Sequence, residues 1–416
     1  MSQVFLSKVG QELQLNHGLY VPQRKGLRVL VVGGGVTGMT TAWALLDAGY
    51  DVTVISSKWA SLEDRITSQI AGALWEWPPA VCGQHTNPIS LENSKVWCMT
   101  SYRAFEELMK ALPAEEHGVR MRTANFFFCD PVETTPGQLK KMVEIEAVSD
   151  IKGFYRDPTL ITQHAVNQNA GVVDAYKHDA PVVDTDHYMT WIRQVILSKG
   201  ARLVTETVTE DLINIEDSLR LKYNAFAIVN ATGLSGDVVA GDNTVSPLRG
   251  ALIRVVNDGK KFPIVKEALC VSHMDNAGED VDDIVFIVPR NDRVLILGGI
   301  AQPNKHTLDL TIDSPEIIRM RERCNNFVPG LADAELDDTP FVQGLRPLRD
   351  HNVRVEREQR SRRNGMASRV VHSYGHGGSG FSLSFGCAGD VLALVDEILA
   401  EVSDTIEQER RIVAHL

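Results

Sequence analysis

The sequence predicts an α/β protein: a Rossmann-like, doubly wound parallel sheet joined to a second sheet that is mostly antiparallel. Three observations carry this. RVLVVGGG, from residue 28, leads into VTGMTTAWALLDAGY and then DVTVIS, the strand, helix and strand of a β-α-β unit. Residues 186–199 (DHYMTWIRQVILSK) read as an amphipathic helix, and the strands ARLVTE and AFAIVNATG follow it and extend the parallel sheet. Residues 249–256 (RGALIRVV), 282–289 (DDIVFIVP) and 293–300 (RVLILGGI) read as strands joined by turns, the last two spaced like a hairpin.

Each element has its own signals. In the first helix Ala42, Leu45 and Leu46 make an inner face, and Gly49 closes it. Residues 1–26 read as an N-terminal arm: they lack the apolar core of a secretory signal, and Glu12 disfavours a transit peptide. The acidic stretch at 275–283 reads as a solvated loop.

Composition bounds the function. The chain has 416 residues, 44% hydrophobic and 23% charged, so two or three domains with large cores are expected. A net charge of −12 disfavours nucleic acid and anionic membrane as partners. No run of 18 apolar residues predicts a transmembrane helix. Six scattered cysteines without a C-x-x-C point to buried thiols rather than a disulfide framework or a zinc site. The last residues, Ala414, His415 and Leu416, are a variant of the S-K-L address, so the expected location is peroxisomal in a eukaryote and cytoplasmic otherwise.

The motif with the plainest chemistry is Gly33-x-Gly35-x-x-Gly38, between a strand and a helix. The first glycine makes the turn, the second lets a pyrophosphate approach, and the third lets helix and strand pack closely. The helix N-terminus, with Val36 and Thr37, then offers N–H groups to phosphate. The acidic residue expected after the second strand is missing, replaced by Ser56, Ser57 and Lys58. These allow NADP, with Lys58 on a 2′-phosphate, or FAD, with Lys58 solvated. TSQIAGALW, containing Thr67, Ser68, Gly72, Ala73 and Leu74, is a small-residue stretch facing a ligand or a packed helix. Asn230-Ala231-Thr232-Gly233 ends a strand at the crevice where such sheets bind ligands. In GLRPLRD, Arg346 is placed to clamp a carboxylate, whereas Arg349 is expected to pair with a surface carboxylate. His372 and His376 stand four apart among glycines, so no metal is expected; they read as polar loop or strand-end residues.

Together GGGVTG, IAGALW, VNATG, FIVP, LGGI, GLRPLR and VVHSYGHGGSGFSLSFGCA resemble the D-amino-acid oxidase family of flavoproteins, over about residues 28–390. The resemblance implies FAD rather than NADP. It implies a FAD-binding domain of residues 27–75, 186–245 and 341–416, and a substrate-binding domain of 76–185 and 246–340. Gly377 and Gly378 would let main chain lie against the flavin, with Gly380, Phe381 and Ser382 at its pyrimidine end and a helix from about Cys387 to Leu399 behind. Arg346 would hold the substrate carboxylate and the Gly378 carbonyl its amine.

Where the family carries two tyrosines, Asp282 and Phe286 stand here, and Ser379 replaces a larger side chain. Asp282 would meet a cationic side chain, or stand as a solvated loop aspartate. The implied reaction is oxidation of a D-amino acid or related amino acid by hydride transfer to flavin, giving an imine and then an oxo acid, ammonia and hydrogen peroxide. Its partners are the amino acid and dioxygen. Glycine-oxidase-like turnover of an N-alkyl amino acid or amine, and a flavin-binding protein without turnover, are the alternatives. The sequence leaves the assembly open, with a homodimer among the candidates.

Overall fold

The computed structural model describes residues 2–5, 12–15, 22–80, 85–271, 284–363 and 365–414. Asp282, the acidic stretch at 275–283, and His415 and Leu416 of the C-terminal address lie outside the described residues. Of the N-terminal arm, Ser2–Phe5 and Glu12–Leu15 form an antiparallel hairpin.

A six-stranded sheet runs in the order Arg354–Arg357, Val370–Tyr374, Ala227–Asn230, Arg28–Val32, Asp51–Ser56, Arg202–Thr205. All neighbours are parallel except the first pair. Its central strands are apolar on both faces because both are covered. Val29 and Val31 pack with the helices Val36–Asp47, Pro88–Ala111, Thr185–Ser198 and Gly380–Ala414, while Leu30 and Val32 pack with Leu212–Tyr223. The period of two thus sends alternate side chains into two cores. The first helix is enclosed beyond its expected stripe: Trp43 is fully buried, edge-on to Trp191 and Phe385.

The second sheet has nine strands, and its pairs are antiparallel apart from Ala268–Val271 beside Val119–Phe128. The predicted hairpin is present, with Val285–Pro289 antiparallel to Val294–Gly298. The paired strands Val245–Val256 and Leu336–Arg349 bring one end of this sheet to the parallel sheet. A boundary at 340/341 therefore falls inside one strand.

The C-terminal helix begins at Gly380, earlier than the expected start near Cys387. Gly386 is the reason the expectation fails. A Cβ there would sit 2.2 Å from Trp97 Cα, so the glycine serves close packing of two helices rather than a break.

Candidate functional site

A cleft of about 390 Å³ opens at the carboxyl ends of the parallel strands, lined by the residues that follow Val32, Ser56, Thr205 and Asn230. Gly33 has φ +122°, and a Cβ on it would lie 2.2 Å from Ala231 O; one on Gly38 would lie 2.0 Å from Gly33 O. Both contacts are backbone against backbone, so no side chain fits. Gly35 and Thr37 line the cleft, whereas Gly38 only packs behind it. Gly35, Val36 and Thr37 line the cleft, so the positive end of the first helix faces it; the Val36 N–H donates to Ser68 Oγ at 3.0 Å.

At the far end stand Ser57 and Lys58. Lys58 Nζ is 2.5 Å from Asp64 Oδ1 and 3.4 Å from Arg65 O in an exposed pair, so it is solvated and also held by this salt bridge. No acidic residue follows the second strand, but one stands at this end after the neighbouring strand. Glu206 lines this end, its carboxylate accepting from Lys222 Nζ and Tyr223 OH at 2.6 Å each, which hold it below the usual carboxylate range.

The glycine-rich loop after Val370–Tyr374 closes the other side. Two ties fix it: the Gly377 N–H donates to Pro347 O at 2.8 Å, and Ser379 N–H to His376 O at 2.9 Å. Below it, Asp242 accepts from Arg349 Nε at 2.7 Å and Tyr374 OH at 2.8 Å. Arg349 thus pairs with a buried carboxylate, not the surface one expected, because Gly375 gives its stem room against the loop.

Of the two histidines, His376 lies in the loop, as expected, but His372 is a core residue of the strand, and both are buried. His372 is fully buried mid-strand, within 3.1 Å of Glu358 Oε2 and 3.2 Å of Asn230 Nδ2, and Asn230 Oδ1 accepts from Thr232 N–H and Oγ1. His376 is buried on the cleft wall with its Nε2 unpartnered among the described residues, as is Ser373 Oγ. Burial pushes the His376 imidazole down to about 4, so it is neutral at pH 7.

A smaller cavity of about 120 Å³ adjoins the cleft; Gly72, Leu252, Arg346 and Gly378 line both. Arg346 donates through Nη1 to Ile300 O at 3.1 Å and has no carboxylate within 4 Å among the described residues. Its guanidinium lies over Gly250 of the partner strand, where a Cβ would come within 2.4 Å of it. Phe286 forms part of the wall, packed so closely on Gly72 that a Cβ there would meet its ring at 2.7 Å. Arg290, wholly buried, donates to Val183 O and Ala71 O at 2.6 Å each, which fixes the backbone leading into Gly72.

Of the expected residues, Gly33, Gly35, Val36, Thr37, Ser57, Lys58, Thr67, Ser68, Gly72, Thr232, Gly233, Gly377, Gly378, Gly380 and Phe381 line the cleft. Ala73, Leu74, Phe286, Ser379 and Ser382 line the smaller cavity. Gly380, Phe381 and Ser382 form the first turn of the C-terminal helix. Sequence reading missed Glu76, Glu206, Gly250 and His376, of which only His376 lies within a motif that the sequence singled out. Among the described residues no group of three or more metal-ligating side chains is gathered, and no helix is long and apolar enough to cross a membrane.

Residues 28–394 match the family described as FAD dependent oxidoreductase. The chain is 30% identical over 369 residues to a D-amino-acid oxidase of Streptomyces coelicolor, covering 88% of this chain and 96% of that protein. It is 29% identical over 379 residues to a D-amino-acid oxidase of Dictyostelium discoideum, covering 90% and 93%. Among solved structures, glycine oxidase from Bacillus cereus superposes with a TM-score of 0.66 at 17% identity, covering 90% of this chain and 95% of that one, a likeness of fold.

Proposed function

The chain belongs to the family of FAD-dependent oxidoreductases, and from that premise we propose that it oxidises D-amino acids, with dioxygen as the electron acceptor. The observation that carries this reading is Arg346, a guanidinium without a carboxylate partner among the described residues, set where the cleft and the smaller cavity meet. A group so placed binds an anionic reactant between the two spaces.

The residues fit FAD. The glycines at 33 and 38 exclude every side chain, the N-terminus of the first helix lies at the cleft, and buried His376 Nε2 and Ser373 Oγ have no partners among the described residues of its wall. Buried polar atoms of that kind are satisfied by a ligand. The backbone at Gly33 to Thr37 would hold the pyrophosphate, and Gly377 to Ser382 the ring. When bound, the flavin supplies hydride acceptance from the α-carbon and passes the electrons to dioxygen, giving hydrogen peroxide and an imine that water converts to oxo acid and ammonia.

The chain's own part is positioning. Arg346 holds the carboxylate, the Gly378 carbonyl accepts from the amine, and the apolar wall of Leu252, Ile284 and Phe286 keeps water from the reacting carbon. The first turn of the Gly380–Ala414 helix would stabilise negative charge developing on a flavin bound against Gly377 to Ser382. The neutral imidazole of His376 adds no competing charge.

A second reading, oxidation of glycine or an N-alkyl glycine, is favoured by Phe286, which brings no hydroxyl to share the carboxylate with Arg346. An oxygen-consumption screen over D- and L-amino acids, glycine and sarcosine separates the two. Consumption with D-alanine above glycine and sarcosine, needing far higher substrate in Arg346→Ala while the protein stays yellow, supports the first reading; a preference for sarcosine or glycine supports the second.

A further inference from the structure

Besides Arg346, the smaller cavity has one other charged group among its described lining residues, Glu76. It follows directly on the backbone that Trp75 pins: the Trp75 N–H donates to Pro181 O at 2.9 Å and its indole N–H to Cys98 O at 3.0 Å. The Glu76 N–H in turn donates to Ser382 Oγ at 3.4 Å, on the first turn of the C-terminal helix. The carboxylate is therefore carried on a fixed stem.

Lys141 Nζ contacts Glu76 Oε1 at 2.7 Å and Pro79 O at 3.1 Å. The two partners are unequally exposed: the Lys141 side chain is 2% accessible and that of Glu76 21%. Here the ammonium is sealed behind and the carboxylate fronts the cavity. A carboxylate has about four acceptor positions, and Lys141 engages one oxygen. The nearby Cys270 thiol is pushed well up by burial first and by the Glu76 charge second, so it adds no second anion. Apart from Ser379 and Ser382, the remaining side chains of the wall, among them Phe126, Val271 and Ile284, carry no charged group that would offset the carboxylate.

We propose that Glu76 is the side-chain selector of the substrate site, favouring amino acids whose side chains end in a cationic N–H donor and rejecting acidic ones. The proposal rests on the amino acid reading of Arg346: the reactant is held at one end by a guanidinium and met at the other by a carboxylate. Asp282, to which the sequence assigned a cationic side chain, lies outside the described residues. Glu76 supplies the same chemistry from a described position.

The test uses ligands without an α-amine, so it does not depend on turnover. The yellow holoenzyme is titrated with 4-aminobutanoate, 5-aminopentanoate and 6-aminohexanoate, each against the plain carboxylic acid and the dicarboxylate of the same length, and binding is read from the perturbed flavin absorbance. At least one amino acid of the series is expected to bind about 10-fold or more tighter than its plain counterpart, and its dicarboxylate more weakly still. In Glu76→Gln the preference is expected to fall below about 3-fold and dicarboxylate binding to rise. The wild-type comparison stands even if the variant fails to fold. Absent binding, or equal binding of amino and plain acids across the series, overturns the assignment. Failure of the oxidase reading shows separately, as no oxygen uptake with any amino acid.

Discussion

The Arg346 guanidinium lies directly over the α-carbon of Gly250, on the antiparallel strand beside its own: a Cβ there would stand 2.4 Å from Cζ and both Nη atoms. The atoms it would strike are the far end of a flexible side chain, not backbone. Gly250→Ala is therefore expected to fold and to bind FAD but to turn Arg346 away. The loss of one charge-assisted contact, about 1.5–3 kcal/mol, corresponds to a KM about 10- to 100-fold higher. Steady-state kinetics beside the flavin content of the purified variant check this, and an unchanged KM would remove the arginine from the site.

The nucleotide end makes a contrasting prediction. A Cβ on Gly38 strikes Gly33 O at 2.0 Å, and neither backbone can yield, whereas one on Gly35 meets Ser68 Oγ at 3.1 Å, a side chain with room to turn. Gly38→Ala is expected to give no soluble yellow protein, and Gly35→Ala to fold with weaker FAD binding. Expression and FAD titration of the apoprotein separate the two outcomes.

His376 places an unpartnered Nε2 on the cleft wall. His376→Leu is expected to weaken FAD binding by about 3- to 10-fold, the worth of one neutral hydrogen bond, with KM little changed. Fluorescence of free flavin released on dilution measures this; equal retention by variant and wild type would place the histidine among purely packing residues.

Stability should fall on acidification below neutral pH. Burial lowers His178 and His376 from the ordinary 6.5 to about 4. Between those values the unfolded chain binds protons that the folded chain refuses, so folding is favoured above pH 6.5 and loses ground down to about pH 4. Each histidine contributes a slope of up to about 1.4 kcal/mol per pH unit. Urea midpoints across this window should shift accordingly, and His178→Phe should flatten the slope; a flat profile in the wild type would contradict the assignment.

The parallel sheet was legible because its strands are continuous apolar runs with a glycine turn, a purely local pattern. The glycine-rich segment was legible as a ligand contact for the same reason, but not as a helix start. Gly380, Ser382, Ser384 and Gly386 read locally as loop residues, and only the packing of Gly386 on Trp97 and of Phe385 on Trp43 makes them helical. Gly250, Glu206 and Glu76 carried no local signal at all. Gly250 matters because an antiparallel register sets it under Arg346, Glu206 because its strand lies beside the one that ends at Ser56, and Glu76 because Lys141 comes to it from a distant helix. Those relationships belong to the sheet order and the helix packing, which periodicity does not encode.

Anaerobic mixing of the FAD-loaded protein with D-amino acids tests the central claim most directly, because it isolates the first half-reaction from reoxidation. Bleaching of the flavin absorbance in wild type, with far slower or weaker bleaching in an Arg346→Ala protein that keeps its FAD, is the predicted result. A yellow wild-type protein that stays oxidised across the whole panel, or an Arg346→Ala protein that bleaches as readily as wild type, would contradict it.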